Sequence, residues 1–216
     1  MDNYELLEDI KFFYHQQLKK CIKDNDVKLF REYDISDELV DKYKIGLSLI
    51  ESNLDQYLLE KGYTKEEILS LPLYVGCESK LADVSNGMIM IPVNNLKGQC
   101  CGFLGVKETD DEKLLTKKFD CSKDYTLLGL DYYSELSQVI YLCKNPLSAL
   151  KKNDKGETVY CFLNDVLLCC KEVALIQSLG IKHFALQLSN DECFLTDIAN
   201  VLRILDYGFD VTVFNE

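Results

Sequence analysis

Ten cysteines and two histidines are the side chains here best suited to metal or redox chemistry, and their spacing decides what they can do. The cysteines stand at 21, 77, 100, 101, 121, 143, 161, 169, 170 and 193, with no C-x2-C or C-x4-C pair among them. A structural zinc site takes two ligands from one tight turn. That turn is missing, and His15 and His183 both lie away from any cysteine cluster, so no zinc is expected. Most thiols sit inside apolar runs such as GQCCGF and TVYCFL, where cysteine behaves as a small hydrophobe and is expected buried and reduced. The neighbours Cys100–Cys101 and Cys169–Cys170 would be redox-reactive only in electropositive surroundings, and at most one of each pair should face solvent. His183 opens an apolar strand without a serine or cysteine partner, which reads as structural. Asp191 and Glu192 stand where a helix begins. Such oxygen ligands can hold one divalent cation weakly, and the same charges are favoured at a helix N-terminus by its dipole. Thirteen tyrosines and ten phenylalanines could stack bases, but most lie at core-compatible spacing.

These groups are carried on an acidic chain. Twenty-four basic and 36 acidic residues give a net charge of −12, and only Arg31 and Arg203 are arginines. A generic nucleic-acid binder must neutralise phosphates with basic surface, so that class is disfavoured. Lys107, Lys117, Lys118 and Lys123 can still form a local patch beside Asp110, Asp111 and Glu112, or simply a solvated charged surface. With 47% hydrophobic and 28% charged residues the composition is that of a folded globular protein. An acidic N-terminal segment unlike a secretory signal, and no stretch of about 18 apolar residues, give a soluble, cytoplasmic protein as the expectation, with no membrane partner.

The periodicity then supplies the elements that must position the candidate groups. Leu6, Ile10, Phe13, Tyr14 and Leu18 predict an amphipathic helix through about Asp24, followed by a short helix over 26–33. Ser36 is a predicted N-cap for SDELVDKYKIG, with Gly46 ending that helix. A further helix stops at Gly62, and Thr64 with Glu67 forms a capping box. MIMIPV and QCCGFLGVKE, joined by NNLKG, predict a hairpin with Pro92 at an edge or bulge. Beyond it, strand and helix alternate: QVIYLC, NPLSALKKN, ETVYCFL, a helix ended by Gly180, IKHFALQL, a helix ended by Gly208, and FDVTVF. That alternation predicts a parallel α/β sheet. The expected organisation is an α+β N-terminal lobe (helices, hairpin and small mixed sheet) over 1–135, then an α/β parallel-sheet subdomain over 136–216.

Six segments in order resemble the catalytic core of bacterial DnaG-type DNA primases. They are FREYDISDELVDKYKIGLS, YLLEKGYTKEEIL, NGMIMIPVNNLKGQCCGFLGVK, KKFDCSKDYTLLGLD, SQVIYLCKNPLSAL and IKHFALQLSNDECFLTDIANVLRIL. The resemblance runs from about Phe30 to Phe214, and the fourth-from-last segment, the glycine-bearing hairpin, is the most specific. It implies that the second half is Toprim-like, with a glutamate and later aspartates holding divalent metal for RNA primer synthesis. This chain departs from that pattern at those positions. Lys144 stands at the glutamate, Asn145 at the following glycine, Ser148 at the next aspartate and Ser189 at the first aspartate of the second motif; only Asp191 survives. Two arginines expected around the hairpin are Asn86 and Val106, leaving Lys118 and Ser122 of that region, with Lys123.

Lys144 can therefore be a new catalytic lysine or, in the preferred reading, the partner of Asp191 in place of the metal's charge. The resemblance with its departures implies a degenerate, primase-like module that contacts a protein partner, for example of the replication machinery, or weakly a nucleic acid, with no cofactor. The alternative is an active primase core or metal-dependent nucleotidyl-transfer enzyme using Mg²⁺ or Mn²⁺. A decoy occupying a primase's partner is a third reading. Carboxylates such as Asp165, Asp197 or Glu172, if they converged with Asp191, would favour the enzyme.

Overall fold

The computed structural model describes residues 4–22, 30, 32–50, 53–77, 80–109, 114–122, 126–132, 139–154, 159–162, 170–188 and 194–214. Helix α1 (Tyr4–Ile22) forms as its periodicity predicts, burying Leu6, Leu7, Ile10, Tyr14 and Leu18. The helix expected over 26–33 falls largely outside the described residues. Helix α2 (Asp37–Tyr43) starts at Ser36, whose Oγ accepts the Leu39 N–H at 3.2 Å. It ends two residues earlier than expected, because Lys44 itself takes the left-handed conformation at φ 52°.

Gly46 therefore does not cap the helix; it serves a different need. It lies in strand β1 (Gly46–Leu47), where an added Cβ would fall 2.4 Å from Tyr14 Cβ and 2.5 Å from the Tyr14 carbonyl carbon. Only a glycine lets α1 lie directly on this strand. Polar contacts reinforce the fit: His15 Nδ1–H donates to the Ile45 carbonyl at 2.8 Å, and Lys19 bonds Asp41 at 2.9 Å.

Helices α3 (Leu54–Glu60) and α4 (Lys65–Leu69) follow, separated by Gly62 at φ +97°. The capping box is present in full. Glu67 N–H donates to Thr64 Oγ1 at 3.2 Å, while Thr64 N–H and Oγ1–H donate to Glu67 Oε2 at 2.8 and 3.0 Å and hold the Glu67 carboxyl below its ordinary pKa. Strands β2 (Tyr74–Cys77) and β3 (Lys80–Asp83) make a separate antiparallel pair. The predicted hairpin is β4 (Ile89–Asn94) with β5 (Cys100–Glu108), and β6 (Leu114–Asp120) extends it to a sheet of order β1-β4-β5-β6. β1 pairs only with Met90 and Ile89, and a register shift falls between Val93 and Asn94, so Pro92 sits where its missing N–H costs little. Tyr14, Leu54, Leu58, Met90, Phe103 and Phe119 centre the core beneath this sheet.

The chain divides into two compact units, Met1–Tyr125 and Thr126–Glu216. The division falls ten residues before the boundary read from the sequence, because Leu127 and Leu130 bury themselves in the core of the second unit. That unit contains β7 (Val139–Cys143), α5 (Pro146–Asp154), β8 (Val159–Phe162), α6 (Cys170–Ser178), β9 (His183–Gln187), α7 (Phe194–Asp206) and β10 (Asp210–Phe214). Among the described residues its strand pairs are all parallel, in the order β10-β9-β7-β8. Gly180 and Gly208 end α6 and α7 at positive φ, as expected. The free side of β8 is closed by Asn153, whose amide donates to the Tyr160 carbonyl and accepts the Tyr160 N–H, both at 2.7 Å. A side chain thus replaces a neighbouring strand.

Two outcomes test this packing. Gly46→Ala should destabilise the first unit by about 3 kcal/mol or more, since backbone rather than a flexible side chain must yield; chemical denaturation reads it. Burial also raises the Tyr14 hydroxyl and the Cys161 thiol well above their ordinary values and pushes the Cys100 thiol up to about 12. The folded chain holds these protons at pH values where the unfolded chain releases them. Stability is therefore complete below the ordinary thiol value of 9.0 and falls as pH climbs toward 12, by about 1.4 kcal/mol per pH unit for each such group. Melting curves across that window should show the fall, and Cys100→Ala should make it shallower.

Candidate functional site

In an open parallel sheet, ligands bind beyond the carboxyl ends of the strands, where successive connections leave in opposite directions. Here that point is the end of β7, which has β8 on one side and β9 on the other. The residues immediately after β7 are Lys144 and Asn145, followed by α5. Sequence and topology thus bring Lys144 to the end of the sheet where open parallel sheets take ligands.

Lys144 Nζ donates to Asp197 Oδ2 of α7 in a short contact. The Asp197 side chain is only 2% exposed and that of Lys144 35%. Asn145 Oδ1 accepts the N–H of Ser148, so the first turn of α5 has one of its free amides satisfied from within the chain. Helix N-termini bind anions through such amides. The crevice therefore presents an ammonium already neutralised by a buried carboxylate, beside a helix end already capped. A divalent cation needs several oxygen ligands in one place. Among the described residues no three of histidine, cysteine, aspartate and glutamate gather to hold a metal, and the carboxylate at this edge faces a lysine.

Asp191, the partner expected for Lys144, lies outside the described residues, as do Ser189, Glu192, Asp165 and Lys123. The carboxylate that meets Lys144 is Asp197, one of the three whose convergence with Asp191 would favour the enzyme. Glu172 is buried on α6. The described lysines Lys107, Lys117 and Lys118 do not share one sheet face. Antiparallel register sets Lys117 opposite Gly105 and Lys118 opposite Leu104, so the two point to opposite sheet faces. Lys107 shares the face of Lys117, whose ammonium stands 5.1 Å from the Phe119 ring centroid. Ser122 follows β6 and is half-buried. His183 Nε2 lies 2.7 Å from Thr212 Oγ1, an intrasheet bond consistent with the structural role expected for it. Cys100, Cys101, Cys143 and Cys161 are buried and form no disulfide, whereas Cys170 is exposed.

The arrangement is that of a known class. The fold superposes on the Aquifex aeolicus primase (zinc binding and RNA polymerase domains) with TM-score 0.79 at 17% identity, covering 99% of this chain and 54% of that one. The chain thus spans about half the length of that relative. On the E. coli primase catalytic core the TM-score is 0.78 at 14% identity, covering 99% and 72%. On the RNA polymerase domain of Mycobacterium tuberculosis primase DnaG, in complex with a double-stranded DNA oligomer with a 6-nucleotide overhang, it is 0.78 at 15%, again over 99% and 72%. Both units therefore share the fold of DnaG catalytic cores. Among curated protein sequences none matches. Residues 13–126, just over half the chain, match the family described as DNA primase catalytic core, N-terminal domain, and the protein belongs to that family.

The ion pair makes a sharp prediction. Removing the lysine strands a buried carboxylate, so Lys144→Met should destabilise the second unit by about 3 kcal/mol, the low end for a buried pair because Lys144 is partly exposed. The double variant Lys144→Met with Asp197→Leu should recover most of that loss. Urea unfolding of the four species in a double-mutant cycle measures both.

Proposed function

We propose that this protein is a catalytically degenerate primase-type core that works as a binding or regulatory module in DNA replication or in a mobile element. The observation that carries the reading is the Lys144–Asp197 pair at the end of β7. In-line phosphoryl transfer needs a metal to polarise the phosphate and stabilise developing charge. A lysine–aspartate pair supplies a fixed, neutral contact instead, which strengthens the fold of the α/β unit without creating a reactive centre. The Toprim-like character of that unit belongs to the same reading: the parallel sheet and the place of Lys144 after its first strand support it.

A solved DnaG catalytic domain of this fold is bound to single-stranded DNA, and others are in complex with double-stranded DNA. We extend to this chain only weak nucleic-acid binding. Its net charge is −12, and Lys117 and Lys118 point to opposite faces of the sheet that would have to grip a strand. Phosphate contacts supply most of the non-specific affinity, so few lysines mean a weak, strongly salt-sensitive complex. A protein partner then remains the main ligand, in a cytoplasmic setting; no described helix is long and apolar enough to cross a membrane.

The test is incubation of the pure protein with single-stranded template, nucleotides and either Mg²⁺ or Mn²⁺. No template-dependent product is expected, and anisotropy with labelled single-stranded DNA should give a dissociation constant no tighter than about 1 µM at physiological salt. Template-dependent product that Asp191→Ala abolishes would overturn the degenerate reading in favour of an active enzyme.

A further inference from the structure

The His15 ring is buried on α1, where that helix lies against the start of β1. Its two nitrogens face different partners. Nδ1 lies 2.8 Å from the Ile45 carbonyl oxygen, and Nε2 lies 3.2 Å from Oδ1 of Asp41 on α2. A carbonyl oxygen can only accept. Asp41 can only accept as well. Lys19 Nζ donates to its other oxygen at 2.9 Å, and that bond, with the surrounding lysines, holds the carboxyl below its ordinary pKa and so ionised. A neutral imidazole has one N–H and one lone pair, so either tautomer turns a lone pair on an acceptor. Only a ring protonated on both nitrogens makes both contacts.

We propose that His15 is a proton-operated clamp: with both protons it ties α1 to α2 and to the strand that follows, and on losing one it loosens α2. Of the two contacts, the one to Asp41 yields. The Asp41 side chain is 49% exposed and can turn to water, whereas the ring and Ile45 are buried. Lys19 follows the carboxylate outward on its flexible stem, so its bond does not hold α2 in place. Of the other charged residues at this junction, Lys11, one turn earlier on α1, is paired with Glu8, and Lys44 follows α2 near Asp41. β1 brings no charge, β5 meets this helix through Phe103 on Tyr14, and α3 meets it through Tyr57 on Phe13. The three lysines oppose a positive ring and Asp41 favours it, so Asp41 is the group on which the clamp depends. What it controls is the seating of α2, which buries Leu39, Val40 and Tyr43.

Long-range ¹H–¹⁵N spectra of the labelled whole protein read the ring directly. At about pH 5.5 both His15 nitrogens should carry protons, where a ring buried for packing alone stays neutral. Amide hydrogen exchange of Val40 and Tyr43, corrected for intrinsic rate, should lose about tenfold protection between about pH 5.5 and 8.5. That of Leu58 on α3 should stay level. His15→Gln and Asp41→Asn should each remove the fall at α2, whereas His183→Gln in the second unit should leave it in place; circular dichroism checks that the variants fold. A wild-type His15 ring with one bare nitrogen at the low end of that range overturns the proposal without recourse to any variant. So does α2 protection that is level throughout, or a fall that survives Asp41→Asn.

Discussion

A carboxylate buried as deeply as Asp197 must either lose its charge or find a cation, because the interior cannot solvate it. In the second unit that one requirement couples three elements. Asp197 belongs to α7, Lys144 follows β7, and Asn145, next in the chain, caps α5. The ion pair thus fixes the helix, the central strand and the first connection at one end of the sheet. Such a pair contributes less than its Coulomb attraction suggests, since both charges leave water to make it. Its larger effect is on geometry, since it ties α7 to the end of β7.

The same demand accounts for the odd orientation of α7. Turning Asp197 and Asn200 inward leaves Leu195, Leu202 and Leu205 outward. A helix cannot present a carboxylate and an unbroken aliphatic stripe to the same sheet, because the two faces lie well over a right angle apart around its axis. Satisfying the carboxylate inside therefore creates the apolar surface outside. The buried Lys144–Asp197 contact and the exposed stripe are two consequences of one choice of helix rotation.

The first unit rests on a steric constraint instead. Its sheet and helices pack because α1 meets β1 at Gly46, with His15, Lys19 and the capped helices fixing the approach from the sides. Here local chemistry and tertiary packing agree at nearly every point. The Ser36 cap, the Thr64–Glu67 box, Gly62 and the β4–β5 hairpin were each legible, since each depends on hydrogen bonds or backbone dihedrals within a few residues. Strands β1, β2, β3 and β6 were not. β6 reads LLTKKFD, without an apolar run, and becomes a strand only because β5 offers it a ladder. The end of α2 was misread for a similar reason, as Gly46 looked like a cap while its role is set by Tyr14, 32 positions away in the chain.

By itself the sequence determined the order of elements, the parallel character of the second sheet, the free and largely buried state of the described thiols and the family to which the chain belongs. Those properties follow from short-range periodicity, turn chemistry and composition. It also marked Lys144 as the residue out of place. The tertiary structure decided the partner of that lysine, the division of Lys117 from Lys118 and the face that α7 turns to its sheet. Each of these depends on strand register or helix rotation. Periodicity shows that a helix has two faces; only the energy of the assembled unit, with a buried carboxylate to neutralise, selects which one goes inside.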